Sequence, residues 1–130
     1  MYTMKTIGID IGTTTISGVV LDVAKRQVLE SRTVQNGSFI KTEHEWERIQ
    51  DVDVILDKAV GLVKELLACC PEAGAVGLTG QMHGIIYLDR NGRHVSPLYT
   101  WQDGRGNLSS DGQKPLTEQV MDKTRLFIAS

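Results

Sequence analysis

A chain of 130 residues is long enough to bury roughly two thirds of the surface its unfolded form exposes, which excludes a miniprotein dependent on staples. Hydrophobic residues make up 41% and charged residues 23%, an ordinary soluble composition, while 13 glycines exceed the roughly 7% usual share and predict tight turns. Fourteen Lys and Arg against 16 Asp and Glu leave a net charge of −2, which supplies no basic footprint for nucleic acid or an anionic membrane.

Lys5–Asp10 reads as a buried strand, Ile11–Thr15 as a glycine-containing turn, Ile16–Asp22 as a second strand and Gln27–Val34 as a third. These spacings are too short for parallel crossovers, so the chain is expected to open as an antiparallel meander. Residues 35–50 are polar and acidic. From Val52 the apolar positions Ile55, Leu56, Ala59, Leu62, Val63, Leu66 and Leu67 form a helical stripe, with Asp51 as a candidate cap and Pro71 and Gly74 marking its end. Adjacent Cys69 and Cys70 cannot staple distant segments; as small hydrophobes at a helix end they fit a reducing, cytoplasmic compartment. Ala75–Thr79 is a short strand expected to pair parallel with the first, and Ile85–Leu88 is expected to be another. Asp89–Arg93 is a hairpin turn in which Asn91 and Gly92 tolerate positive φ, and Val95–Trp101 returns as an edge strand because Pro97 cannot donate to a ladder. Residues 102–115 form a long turn-rich loop, and a last helix opens at Leu116–Thr117, with Thr117 as N-cap and Leu116 packing back on Met121. The apolar end Leu126–Ser130 suggests that more protein follows. No stretch approaches the ~18 apolar residues of a membrane span, and the first residues show no positively charged region followed by an apolar run.

In Lys5–Thr15, strand alternation places Ile7, Ile9 and Ile11 on one face and Gly8, Asp10 and Gly12 on the other. The Asp10 carboxylate then stands between two positions without side chains, where a bulky anion or its metal can approach the backbone. Gly12, Thr13 and Thr14 offer successive N–H groups and two hydroxyls, a donor-rich turn of the kind that cradles phosphate. A carboxylate beside phosphate needs a bridging cation, and Mg²⁺ takes one or two carboxylates with waters and phosphate oxygens. No Lys follows the glycines, so this is no Walker loop, and the pattern lacks GxGxxG with its helix. A tight hairpin whose Asp merely caps the turn fits the same residues.

Thr79–Gly84 (TGQMHG) follows the end of a strand, where ligands bind in sheets of α/β order. Gln81 and His83 supply donors and acceptors; Met82 as core filling and His83 as a structural histidine are the plainer readings. Near position 100, Trp101, Asp103 and Arg105 suit a polyhydroxylated ligand, with C–H groups on indole and hydroxyls on the charged pair. An anchoring Trp beside an Asp103–Arg105 surface pair is the alternative. His44, between two Glu, reads as solvated.

Taken together, IGIDIGTTT, GLTGQMHG and LYTWQDGR resemble the N-terminal part of the FGGY carbohydrate kinases, above all xylulokinase and sedoheptulokinase, over about Met4 to Arg105. The resemblance implies an α/β, ribonuclease H-like fold of the actin and hexokinase type, a mixed sheet opening with an antiparallel meander, and ATP with Mg²⁺ as cofactors. It places Asp10 at the metal and phosphate end as the catalytic carboxylate, Gly12, Thr13 and Thr14 in the first phosphate loop, and Gln81, Met82 and His83 at a ketose. Trp101, Asp103 and Arg105 fall in the ketose's surroundings. Gln102 leans toward the sedoheptulose type, since xylulokinases more often carry Asn there. In the family a later Asp is the general base and a second domain holds adenine; neither lies in this chain. Residues 1–130 are therefore expected to be an incomplete domain lacking its C-terminal partner domain, inactive alone, and able to join a homodimer in the full-length enzyme. The rivals are a non-catalytic sugar-responsive regulator and an actin- or chaperone-like ATPase piece.

Overall fold

A computed structural model describes residues 4–128, so Ala129 and Ser130 of the apolar end lie outside the described residues. In chain order the elements are β1 (Lys5–Ile11), β2 (Thr15–Asp22), β3 (Gln27–Gln35), β4 (Ile49–Gln50), α1 (Val52–Cys69), β5 (Ala73–Gly80), β6 (Leu98–Tyr99) and α2 (Leu116–Thr124), with a 3-10 turn over Arg105–Asn107. They fall into two compact units. One holds the residues up to Ser38 together with Asp51–His83, the other Phe39–Gln50 together with Gly84 onward.

In the first unit β1, β2 and β3 form the antiparallel meander and β5 adds parallel to β1, giving the mixed order β3-β2-β1-β5. The parallel pairing requires a crossover, which α1 provides. Helix α1 starts where Asp51 accepts the N–H groups of Asp53 and Val54, and it stops before Pro71. Ile55, Ala59, Leu62 and Leu66 are its buried stripe, packed over Ile7, Ile9, Ile16 and Val20. Leu56, expected in that stripe, is 55% exposed, because the stripe that meets the sheet is narrower than the run of apolar residues. Gly18 lets helix and sheet approach: a Cβ there would lie 2.6 Å from Leu66 Cδ1. Strand β5 is the sheet edge, and Val76 and Leu78 on it remain 47% and 71% exposed.

The second unit departs from several expectations. β4, inside the polar stretch, pairs antiparallel with β6, which covers only Leu98–Tyr99 of the expected Val95–Trp101 strand. Ile85–Leu88 is not a strand; it contributes single bridges from Ile85 to Tyr99 and from Leu88 to His94. Backbone pairing through Pro97 is blocked, and the Tyr87 N–H donates to the Ser96 hydroxyl, so no continuous ladder forms. The turn at Asp89–Arg93 forms as expected, with positive φ at Gly92 and not at Asn91, and the Asp89 carboxylate accepts the N–H groups of Asn91 and Arg93. Helix α2 is preceded by Pro115, so Thr117 lies inside it; its hydroxyl reaches Asn107 Oδ1 at 2.9 Å and Gly106 O at 3.2 Å. Leu116 is 62% exposed.

Candidate functional site

Alternation along β1 turns Ile7 and Ile9 toward α1, at 1% and 2% exposure, and Gly8 and Asp10 toward the opposite face. Register then builds a polar row across all four strands, Thr33, Ser17, Asp10 and Thr79. The Ser17 and Thr33 hydroxyls are 2.9 Å apart. In the neighbouring row Gly8 stands beside Gly77, so the surface drops to bare backbone next to an exposed carboxylate. A shallow cavity of about 360 Å³ lies on this face, lined by Gly8, Asp10, Ser17, Gly77 and Thr79 among others.

At the end of β1 the turn to β2 is held by the chain itself. The Gly12 N–H donates to Thr15 O at 2.9 Å, so it closes the hairpin and does not join a series of three outward donors. A Cβ on Gly12 would sit 2.8 Å from Thr15 O, which is why this corner is glycine. The Thr13 hydroxyl donates to Gln81 Oε1 at 2.9 Å, and the Gln81 N–H donates to Ile11 O at 2.9 Å. Two motifs separated by nearly seventy residues thus meet at one end of the sheet, because β5 runs parallel to β1 and both strands end there. Asn36, which sequence reasoning passed over inside a polar stretch, donates from Nδ2 to Gly12 O at 2.7 Å and from its N–H to Thr14 O at 2.8 Å. Met82 is 73% exposed and fills no core, and exposed His83 holds φ +62°, a backbone state that costs a β-carbon residue about 1 kcal/mol.

In the second unit Trp101 is 58% exposed, and the Asp103 side chain is only 4% exposed. The Asp103 carboxylate accepts the Arg48 N–H at 3.0 Å, the Arg105 N–H at 3.2 Å, and both Nε and Nη2 of Arg105. Four bonds occupy about all the lone-pair sites a carboxylate offers. Asp103 therefore fixes the Arg105 guanidinium, which lies 4.2 Å from the Tyr99 ring centroid and 5.8 Å from that of Trp46, with Glu47 at 3.4 Å. Trp46 and Glu47 lie in no motif that could single them out, and Tyr99, although inside LYTWQDGR, carries no ligand chemistry of its own in the sequence reading. His44 is exposed and stacks on Trp46 at 4.9 Å.

Burial alone would push the Asp103 carboxyl up, but the Arg105 bonds and the two backbone N–H groups outweigh it and hold it below the usual carboxylate range. Arg105 is correspondingly raised by its bond to Asp103, against burial. A carboxyl lowered on folding stabilises fully above its unfolded value near ~4, and that contribution disappears as pH falls through the lower folded value. Asp103→Asn is expected to flatten the acid limb of a stability curve measured by thermal melts between about pH 5 and pH 2. An acid limb identical to wild type would count against this account.

Among the described residues no group of three or more His, Cys, Asp and Glu could hold a metal by itself. Asp10 is a single exposed carboxylate beside bare backbone, which fits Mg²⁺, an ion that keeps waters and phosphate oxygens, and not a protein cage. Among the described residues no helix is long and apolar enough to cross a membrane.

The mixed sheet, its crossover helix and the two motifs at its end define an α/β protein with the fold of the actin and hexokinase ATPases, seen in solved sugar kinases. A gluconate kinase and a ligand-bound xylulose kinase, both from Lactobacillus acidophilus, each superpose with a TM-score of 0.75 at 20% identity, covering 92% of this chain and 23% of theirs. The model of the FGGY family of carbohydrate kinases, N-terminal domain, matches residues 5–129, and the chain belongs to that family. It is similar to the xylulose kinase of Streptomyces rubiginosus, 29% identical over an alignment of 104 residues, which covers 76% of this chain and 20% of that protein. The chain spans about a fifth to a quarter of the length of the curated relatives it matches.

Proposed function

We propose that this chain is the N-terminal portion of the N-terminal domain of an ATP-dependent sugar kinase that phosphorylates a ketose, completed in the full-length protein by a C-terminal domain. The observation that carries this reading is the exposed Asp10 on a bare sheet face, one residue from a turn that is hydrogen-bonded to Gln81 of the QMHG segment. In this reading ATP, when bound, would supply the phosphoryl group and Mg²⁺ would neutralise the negative charge on the phosphate oxygens. Asp10 is the carboxylate that faces the metal. Thr13 and Thr14 present the turn, and Gly12 keeps it closed. Gln81 sets the position of the QMHG backbone, leaving Met82 and His83 exposed toward a sugar. Trp101 offers an apolar face and Arg105, fixed by Asp103, offers N–H donors to hydroxyls. Phosphoryl transfer depends on positioning such groups together, and the base that takes the hydroxyl proton is a residue outside this chain. Gln102 favours a sedoheptulose-type substrate over xylulose. The adjacent free cysteines suit a reducing cytoplasm.

The test is ADP formation by the full-length protein with a panel of five- and seven-carbon ketoses, alongside thermal shifts with the same sugars. Turnover that requires a ketose is the expected result. Stabilisation by nucleotide with no response to any sugar would favour the chaperone-like reading, and sugar binding without ADP formation would favour a regulator.

A further inference from the structure

Asn36 is completely buried, although it is polar and lies in a stretch whose composition reads as surface. It follows β3 directly, and its N–H to Thr14 O extends the β2–β3 ladder by one rung into the turn that ends β1. Its carboxamide then reaches past Thr14 to the Gly12 carbonyl. The two carbonyls on either side of Thr13 are thus drawn to one residue. In a planar trans peptide the C=O and the following N–H point in opposite directions, so holding the Gly12 carbonyl toward Asn36 sets the Thr13 N–H away from it.

The residue is itself held in one orientation. Ser38 Oγ donates to Asn36 Oδ1, which leaves Nδ2 toward the Gly12 carbonyl; a flipped amide would set oxygen against oxygen. Lys58 of α1 donates from Nζ to Asn36 O at 2.6 Å and to Gln35 O at 2.7 Å, so the backbone carrying Asn36 is tied to the helix under the sheet. Aspartate at 36 would have the same shape and, ionised, no donor for Gly12.

We propose that Asn36 is the positioning residue of the phosphate turn, aiming the Thr13–Thr14 backbone through the Gly12 and Thr14 carbonyls without touching nucleotide. This rests on the kinase reading above. In the full-length protein Asn36→Asp is expected to raise the Kd for MgADP and the KM for MgATP about tenfold, the effect of one buried hydrogen bond. The KM for sugar should stay within about twofold, and amide hydrogen exchange at Thr13 and Thr14 should quicken. Ser38→Ala, which frees the carboxamide but keeps its donor, should shift the same quantities in the same direction by about threefold, and it decides the matter if Asn36→Asp does not fold. Variants that bind MgADP as wild type does while the turn exchanges faster would overturn the proposal. So would a lower folded fraction with both KM values unchanged, which marks a residue that only supports the fold. A wild-type protein that binds no nucleotide removes the kinase reading itself, a result distinct from a variant that matches a binding wild type.

Discussion

Asp10→Asn in the full-length protein is expected to lower sugar-dependent ADP formation by about 10²–10³-fold, or roughly 3–4 kcal/mol of barrier, with the fold intact. Asp10 is exposed, so the isosteric amide removes charge without opening a cavity, and its effect on stability should stay within about 0.5 kcal/mol. What the amide loses is specific to the proposed chemistry. A carboxylate attracts a divalent cation that also binds phosphate oxygens, whereas a carboxamide is a weak neutral ligand and brings an N–H₂ group toward the cation. Because the interaction strengthens as charge moves in the transition state, the loss should fall on kcat more than on the KM for sugar. Thermal melts of the same samples separate this from unfolding. Activity within tenfold of wild type at equal melting temperature would remove Asp10 from the metal side of the mechanism.

Leu66→Ala should destabilise the protein by about 3–5 kcal/mol, read as a lower urea midpoint at unchanged slope. Leu66 is 0% exposed, and it packs over the hydrogen that Gly18 of β2 carries in place of a side chain. Rigid strands on one side and the helix backbone on the other limit how far the site can collapse, which puts the cost in the upper range for a leucine deletion. Gly18→Ala by itself inserts a methyl group against Leu66 Cδ1 and Ile9 Cδ1, so it should destabilise by about 1–3 kcal/mol. Combined with Leu66→Ala, the same methyl enters the vacated space, and the pair should cost less than the sum of the two changes. An additive pair would mean that the helix does not approach the sheet at Gly18 as described.

The site is partly legible in the sequence. Strand alternation over the seven residues Lys5–Ile11 separates Ile7 and Ile9 from Asp10, and the structure buries the two isoleucines and exposes the carboxylate. The sequence reading gives Gly12 to close approach of a phosphate, yet its hydrogen faces Thr15 O of its own hairpin; a glycine in sequence does not say which neighbour needs the space. Asp103 and Arg105 leave two readings open in the sequence, ligands for hydroxyls or a surface pair. They prove to be bonded to each other, with the Arg48 N–H completing the carboxylate, and spacing of two along a chain cannot distinguish a pair that faces a ligand from one that faces itself.

What the sequence determined by itself was local and periodic: the three meander strands from alternation, the span of α1 from its stripe and its Asp51 cap, the Gly92 turn, and membership of the carbohydrate kinase family from three ordered motifs. These follow from residues close together in the chain, where backbone geometry alone links position to face. Only the tertiary structure decided that Ile49–Gln50 pairs with Leu98–Tyr99, that Ile85–Leu88 forms single bridges and no strand, and that Asn36 is buried against the turn at Gly12. Each of those depends on a partner many residues away. Backbone hydrogen bonds form wherever folding brings a donor to a carbonyl, so burial and bonding of a polar residue such as Asn36 are set by the assembled sheet and helix and not by its own neighbours in sequence.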